Sequence, residues 1–256
     1  MNNDHLLKHI EELAKILKPW RSSIVLGGGL ALVLYDNLLS KSPVGVVGTT
    51  DVDFLIKRKP ISPAEEKISR LLMDQGYELR HKSNGVPSIQ SFVRQNGDYE
   101  LEVEFLTDQK SRKKDNVVEI KAAGLNAQSL SYIEMSLEEA ISITLSNQES
   151  ILIVPPEAWV FHKGLTFPIR AQSAKKYKDL YGIWFVLTQL GDISLITREK
   201  LRELMKRNSA SWSRDFYSHL RDWSQSATPG DWRRLMDQDP NGVLNQRGFE
   251  NLVQGL

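Results

Sequence analysis

Asp51 and Asp53 are two carboxylates separated by one apolar residue, in the segment Thr50-Asp51-Val52-Asp53-Phe54-Leu55. In an extended strand, alternate side chains point to the same face, so the two carboxylates lie together, roughly 6 to 7 Å apart. Unpaired like charges at this distance repel each other, and a divalent cation relieves the repulsion. Oxygen donors of this kind suit Mg²⁺ or Mn²⁺, which complete their coordination with water and substrate phosphates. The pair predicts a metal site, although the same pattern also occurs as a solvated strand edge.

A glycine triplet, Gly27-Gly28-Gly29, follows the apolar strand Ile24-Val25-Leu26 and precedes an apolar helix predicted over 30–39. Glycine accepts positive φ and lets backbone N–H groups approach a ligand closely. The triplet matches neither a P-loop nor the dinucleotide-binding pattern, and a glycine run by itself is typical of a turn. Its position before the aspartate pair, in the order strand, glycines, helix, loop and strand, favours a functional site over a simple turn.

Glu104 is the candidate for a third carboxylate. Asn96-Gly97 predicts a tight hairpin between residues 91–95 and the strand 99–105. In that second strand the apolar residues alternate with glutamates, so Glu100, Glu102 and Glu104 share the face opposite the core. Glu100 is expected in solvent, whereas Glu104-Phe105-Leu106 repeats the pattern of Asp53-Phe54-Leu55. If the two strands are neighbours, Glu104 reaches the same site.

These motifs together resemble the nucleotidyltransferase superfamily with the DNA polymerase β-like core. The resemblance is strongest to the bacterial minimal-core group that includes AbiEii-type and related toxin-like nucleotidyltransferases. It rests on Leu26 to Leu32, Thr49 to Leu55 and Val103 to Leu106, and on Pro155 to Leu165 with the later Arg170 and Lys178-Asp179-Leu180. It implies an α+β fold, with a mixed β-sheet and flanking helices as the catalytic core (1–154), followed by a helical C-terminal domain (155–256).

The resemblance also implies roles for individual residues. Asp51, Asp53 and Glu104 become catalytic residues that hold Mg²⁺ or Mn²⁺, with Glu104 as a metal ligand or general base. The nucleotide-binding residues become Gly27, Gly28, Gly29, Thr50, Lys163, Arg170 and Lys178. Two features depart from the superfamily: its third carboxylate is typically Asp, and its first strand is commonly followed by Gly-Ser rather than by glycines.

The implied activity is transfer of a nucleoside monophosphate from an NTP to a hydroxyl group, with release of pyrophosphate. The acceptor is expected on a macromolecule, either tRNA or a protein, and the chain is expected to act as a toxin, with an antitoxin partner, or in phage defence. One alternative is a small-molecule nucleotidyltransferase of the aminoglycoside type. Another is a non-catalytic protein that binds a nucleotide or a partner on the same scaffold.

Composition sets outer limits on function. Lys+Arg 33 against Asp+Glu 32 argues against non-specific coating of nucleic acid, although the cluster Lys110 to Lys114 is a local site for RNA or a solvated loop. The absence of cysteine excludes disulfides and thiolate metal sites and fits a cytoplasmic protein. No signal peptide and no membrane-spanning run is recognised. Tryptophans and arginines in the tail either stack on unpaired bases or, as the stronger alternative, pin helices to a core: Trp212, Arg214, Trp223, Trp232, Arg233 and Arg234.

Local patterns complete the prediction. Apolar positions at helical spacing predict an amphipathic helix over 6–17, and a further helix is predicted over 60–75. Ser136-Leu137-Glu138-Glu139 has the pattern of a capping box. Thr197 is predicted to cap the N-terminus of a helix over 198–207, and Ser209 is predicted to cap the helix that follows it.

Overall fold

A computed structural model describes residues 3–45, 51–61, 65–82, 87–97, 99–109, 116–170 and 173–256. The chain forms two compact units. The first comprises Met1–Ala31 and Gly48–Pro155, and the second comprises Leu32–Val47 and Pro156–Leu256. The short segment Leu32–Val47 therefore groups with the C-terminal part of the chain, whereas the predicted domains, 1–154 and 155–256, are each continuous. Thr50 and the cluster Lys110 to Lys114 lie outside the described residues.

The first unit is built on strands with a few short helices. Its strands are β1 (Ile24–Leu26), β2 (Asp51–Ile56), β3 (Glu78–His81), β4 (Gln90–Asn96), β5 (Tyr99–Asp108), β6 (Val117–Ile120), β7 (Leu125–Leu130), β8 (Ile141–Thr144) and β9 (Ser150–Ile153). Its helices are α1 (Asn3–Ile16), α3 (Ile68–Asp74) and α4 (Glu134–Glu138). Helix α2 (Leu30–Leu34), continued by a π-helical turn (Tyr35–Leu39), passes from the first unit into the second.

The strands form one mixed sheet in the order β3-β4-β5-β2-β1-β9-β8, with β7 also paired to β5 and β6 paired to β7. Strands β2 and β5 are parallel neighbours, whereas β1 pairs antiparallel with β2. Period-two alternation buries one face, where Phe54 stacks on Phe105 at 5.9 Å between ring centroids and Phe92 meets Phe105 edge-on at 6.2 Å. The predicted α+β fold with a mixed sheet is confirmed.

The second unit is helical throughout its C-terminal part, as predicted. After α5 (Pro156–Thr166) and a 3₁₀ turn (Phe167–Ile169) come α6 (Ser173–Thr188), α7 (Asp192–Arg207), α8 (Ala210–Ser226), α9 (Pro229–Met236) and α10 (Gln246–Gly255). Ser209 caps α8, because its hydroxyl accepts a hydrogen bond from the Ser211 backbone N–H. Within the described residues, no single helix is both long and apolar enough to cross a membrane.

The start of one predicted helix and two predicted caps were wrong. The helix predicted over 60–75 begins only at Ile68. Ser136 lies buried inside α4 and forms no capping box, because the helix begins two residues before it. Thr197 is likewise buried within α7, since Gly191 at φ +59° ends the preceding segment and the new helix starts directly after it. A reciprocal capping box does form at Thr228, whose side chain and that of Asp231 satisfy each other's backbone N–H groups.

Candidate active site

The glycine turn is fastened to the strand that carries the aspartates. The Gly27 N–H donates to the Asp53 carbonyl oxygen at 2.8 Å, and Gly28 adopts φ +61°. A Cβ atom on Gly28 would lie 2.7 Å from Asp53 Cγ and closer still to Oδ2, so the carboxylate rests against the glycine backbone. Gly29 completes the turn before α2. Glycine is thus required at position 28 both by the backbone conformation and by the neighbouring side chain.

Parallel pairing of β2 with β5 places two rows of carboxylates side by side. Asp51 is in register with Glu102, and Asp53 is in register with Glu104. Residues in register on neighbouring strands point to the same face and stand about 4.8 Å apart at the backbone. All four side chains are half-buried on the face opposite the aromatic core. The expected adjacency of Asp53 and Glu104 is therefore present. Glu102, for which no role was predicted, lies in the same group.

Lys82 is a member of this group that sequence reasoning missed. Its Nζ lies 3.1 Å from Glu102 Oε1 and also forms an ion pair and hydrogen bond with Glu104 Oε1. Partial burial lowers the pKa of Lys82, but the hydrogen bonds and charges of the two glutamates outweigh it and raise that pKa above the usual lysine value. The lysine follows β3 and meets Glu104 only through the pairing of β3, β4 and β5, which no local motif records.

The donor set suits a hard divalent cation. Asp51, Asp53 and Glu104 offer carboxylate oxygens on one face, and the missing Cβ of Gly28 lets the Asp53 carboxylate lie against the glycine backbone. The Lys82 ammonium group is the cation that Glu104 contacts in this structure. Across the described ranges, no three carboxylate or imidazole side chains already surround one point as metal ligands. The residues fit Mg²⁺ or Mn²⁺ by type and face.

Glu100 ends the acidic row and is a solvated residue, as expected. Arg80 donates two hydrogen bonds to its carboxylate, at 2.7 and 2.8 Å, and both side chains are about half exposed. The Arg80 hydrogen bond holds the pKa of Glu100 below its ordinary value. Exposed pairs of this kind contribute little to stability.

The predicted phosphate-binding cations of the second unit surround a buried acid. Asp179 receives Lys163 Nζ at 3.0 Å and Arg170 Nε at 2.8 Å, and its side chain is 9% exposed. Burial alone raises the pKa of Asp179, but the two cations hold it below the ordinary aspartate value. Lys163 also lies 5.5 Å from the centre of a Trp159 ring, whereas Lys178 is exposed. Lys163 and Arg170 therefore have a structural partner within their own unit.

Two of the tail tryptophans belong to a core. Trp223 and Trp232 are buried and pack edge-on with each other and with Phe249, at centroid distances of 4.9 to 5.8 Å. The packing alternative therefore holds for these two residues. The three arginines of the tail, Arg214, Arg233 and Arg234, are exposed.

A glycine turn against paired carboxylates on a mixed sheet is the arrangement expected of a nucleotide-transferring enzyme. Residues 6–201 match a family described as nucleotidyltransferase, and the chain belongs to that family. Among solved structures it is similar to an antigenic nucleotidyltransferase-like protein from Paracoccidioides brasiliensis, with 17% identity, a TM-score of 0.42, and coverage of 83% of this chain and 92% of that one. No curated protein matches the chain.

Proposed function

We propose that the chain moves a nucleoside monophosphate from an NTP to a hydroxyl group on a macromolecule, either RNA or protein. The observation that carries the proposal is the position of Asp53, which lies between the Gly28 backbone and Glu104 of the neighbouring strand. Phosphoryl chemistry needs carboxylates and backbone N–H donors directed at one point, and membership of the nucleotidyltransferase family supports this use of them.

Each group has a defined task in the proposed reaction. Asp51, Asp53 and Glu104 hold Mg²⁺ or Mn²⁺, which when bound neutralises phosphate charge and lowers the barrier to attack. Backbone N–H groups of Gly28 and Gly29 contact the triphosphate without side-chain interference. The Gly27 N–H is already bonded to the Asp53 carbonyl oxygen, so Gly27 contributes by holding the turn against β2. The acceptor hydroxyl oxygen forms a bond to the α-phosphorus and its proton passes to water, while the bond from the α-phosphorus to the oxygen that bridges it to the β-phosphate breaks and pyrophosphate leaves. Thr50, Lys163, Arg170 and Lys178 belong to the proposal as further nucleotide contacts.

Two departures from the superfamily have physical consequences. Glu104 is one methylene longer than Asp, so its oxygen reaches farther across the strand and has more rotamers to lose on metal binding. The glycine turn has no hydroxyl group for a phosphate, so the backbone carries this contact alone. Both changes weaken rather than remove the contacts.

A cationic small molecule is the second candidate acceptor. Glu102 extends the group of carboxylates beyond the three proposed ligands, and negative charge around a site attracts polycations such as amino sugars. A macromolecular acceptor agrees with the toxin-like resemblance of the motifs, and an antitoxin partner would follow from it. Both candidates use the same carboxylates.

Transfer of label tests the proposal. The protein is incubated with each α-labelled NTP and Mg²⁺, with total tRNA, with cell lysate or with aminoglycosides as acceptors. We expect label in RNA or protein with the wild type and with Glu100→Gln, which changes an acidic residue on the strand of Glu104 but outside the site. Asp53→Ala should abolish the label. Label in aminoglycosides alone would select the second candidate, and nucleotide binding without transfer to any acceptor would identify a non-catalytic protein.

The proposed toxin role has its own test. Induced expression of the wild type should arrest bacterial growth, and expression of Asp53→Ala at equal level should not. Growth that is unaffected by both proteins would remove the toxin and antitoxin part of the proposal and leave the enzymatic part intact.

A further inference from the structure

Lys82 places a positive charge on Glu104, a carboxylate of the proposed metal site, and on the neighbouring Glu102. We propose that Lys82 is a built-in counter-cation that competes with the divalent metal ion for Glu104 and so limits the affinity of the site for metal. This inference rests on the proposed function, because it assumes that Glu104 is a metal ligand. It assigns Lys82 a regulatory contact with the site, and no part in the transfer step.

The contact requires a particular arrangement of three strands. Lys82 directly follows β3, and its N–H donates to the Ile89 carbonyl oxygen at 2.9 Å. To reach Glu104 on β5, its side chain crosses β4, a span of about two strand spacings or 10 Å. Ser91 is the residue of β4 in register with Glu104, and it is fully buried. Its small side chain leaves the stems of the lysine and the glutamate free to meet above it.

The environment makes this pair stronger than its neighbour on the same strand. The side chains of Lys82 and Glu104 are 35% and 14% exposed, compared with 51% and 43% for Arg80 and Glu100. Charges that are shielded from solvent interact more strongly than fully exposed ones. Because Lys82 also contacts Glu102, one ammonium group compensates two carboxylates. Removal of its charge leaves an excess of negative charge, which a divalent cation can satisfy.

Competition of this kind is measurable without any nucleotide. Mn²⁺ is titrated into the wild type, Lys82→Met, Lys82→Arg, Arg80→Met and Asp53→Ala, and free Mn²⁺ is followed by electron paramagnetic resonance. Methionine keeps an unbranched stem and removes the charge, whereas arginine keeps the charge. Arg80→Met changes the net charge by the same amount two residues away, and Arg80 pairs with Glu100 outside the site. Circular dichroism and thermal unfolding confirm that each variant is folded.

We expect Lys82→Met to bind Mn²⁺ about tenfold more tightly than the wild type, because a directly competing charge has been removed. Arg80→Met should change the affinity by less than about threefold, since an exposed charge acts only through screened solvent. Lys82→Arg should remain close to the wild type, and Asp53→Ala should bind weakly.

Three results would overturn the inference. Equal affinities for Lys82→Met and Arg80→Met would show that only net charge matters, and weaker binding by Lys82→Met would show that the lysine supports the metal. In both cases the proposed function survives, provided that wild-type binding still depends on Asp53. Mn²⁺ binding that does not depend on Asp53 would remove the metal site itself, and the inference with it.

Discussion

Substitution of Gly28 by alanine tests two reasons for glycine at this position: the backbone conformation and the close approach of the Asp53 side chain. At φ +61° a Cβ atom costs about 1 to 2 kcal/mol. Because that Cβ would lie 2.7 Å from Asp53 Cγ, the carboxylate must also move by about 1 Å to regain ordinary contact. An off-rotamer side chain adds about 1 kcal/mol. We expect Gly28→Ala to lower the free energy of unfolding by about 2 to 3 kcal/mol.

The effect on function should exceed the effect on stability. A displacement of about 1 Å at a reacting centre can cost about a hundredfold in rate, and loss of support for a ligand about 10- to 100-fold in metal affinity. Urea unfolding measures the stability, Mn²⁺ titration measures the site, and label transfer measures the activity. The matched control is Gly76→Ala, at φ +81° with nothing within 4 Å of the added Cβ. It should lose stability through the backbone alone and keep its affinity for Mn²⁺.

A double-mutant cycle tests whether the clash with Asp53 causes part of the loss of stability in Gly28→Ala. In the background of Asp53→Ala the two nearest clashing atoms are absent, so Gly28→Ala should cost less stability there than in the wild type. Strictly additive costs would show that Asp53 does not contribute to the loss of stability. Equal effects of Gly28→Ala and Gly76→Ala on stability and on Mn²⁺ binding would show the same.

Three further predictions concern stability. Burial, and then the nearby Arg94, lowers the pKa of His9 from 6.5 to about 4, so its contribution to stability is present above pH 6.5 and is lost as the pH falls toward 4. The free energy of unfolding should therefore fall by up to about 3 kcal/mol in this window in the wild type, and this fall should be absent in His9→Gln. Asp179→Asn should cost about 3 kcal/mol in urea unfolding, because it leaves Lys163 half-buried without its carboxylate. Thr228→Ala should cost about 1 kcal/mol through loss of the α9 cap.

Each of these predictions has a control in the same chain. His5→Gln changes an exposed histidine of the same helix and should leave the pH profile unaltered; a changed profile would implicate the helix rather than burial. Asp192→Asn breaks an exposed pair with Lys41 and should cost less than about 1 kcal/mol, and a cost equal to that of Asp179→Asn would contradict the role of burial. Thr228→Ser keeps the hydroxyl group and should retain most of the stability. A loss equal to that of Thr228→Ala would show that the hydroxyl cap does not stabilise α9.

Much of the sheet and half of the site follow from local sequence. Alternation placed Asp51 and Asp53 on one face, and it gave Glu104 the same relation to Phe105 that Asp53 has to Phe54. Asn96-Gly97 signalled the hairpin between β4 and β5. The face of a strand on which a side chain lies can be predicted from a few neighbouring residues, because side-chain direction in a strand has a period of two.

The remainder depends on pairing between distant segments. Lys82 lies at the end of a strand with four exposed residues, and nothing near it in sequence indicates that it meets Glu104. Strand β7 was not predicted, since its Asn, Gln and Ser residues have weak strand preference and β5 supplies its place in the sheet. Lys163 carried a recognisable motif, but its partner Asp179 is on another helix, and only packing reveals the ion pair.

The segment Leu32–Val47 has a consequence for the order in which the protein can fold during synthesis. It joins the helical unit through contacts made much later in the chain, since Lys41 pairs with Asp192 and the Asn241 side chain donates to the Gly45 carbonyl oxygen, 196 residues away. At ribosomal speeds this separation corresponds to a wait of roughly ten to forty seconds. During this time the apolar residues of the segment that end up buried lack the later residues that bury them, so they stay exposed until the last helices emerge.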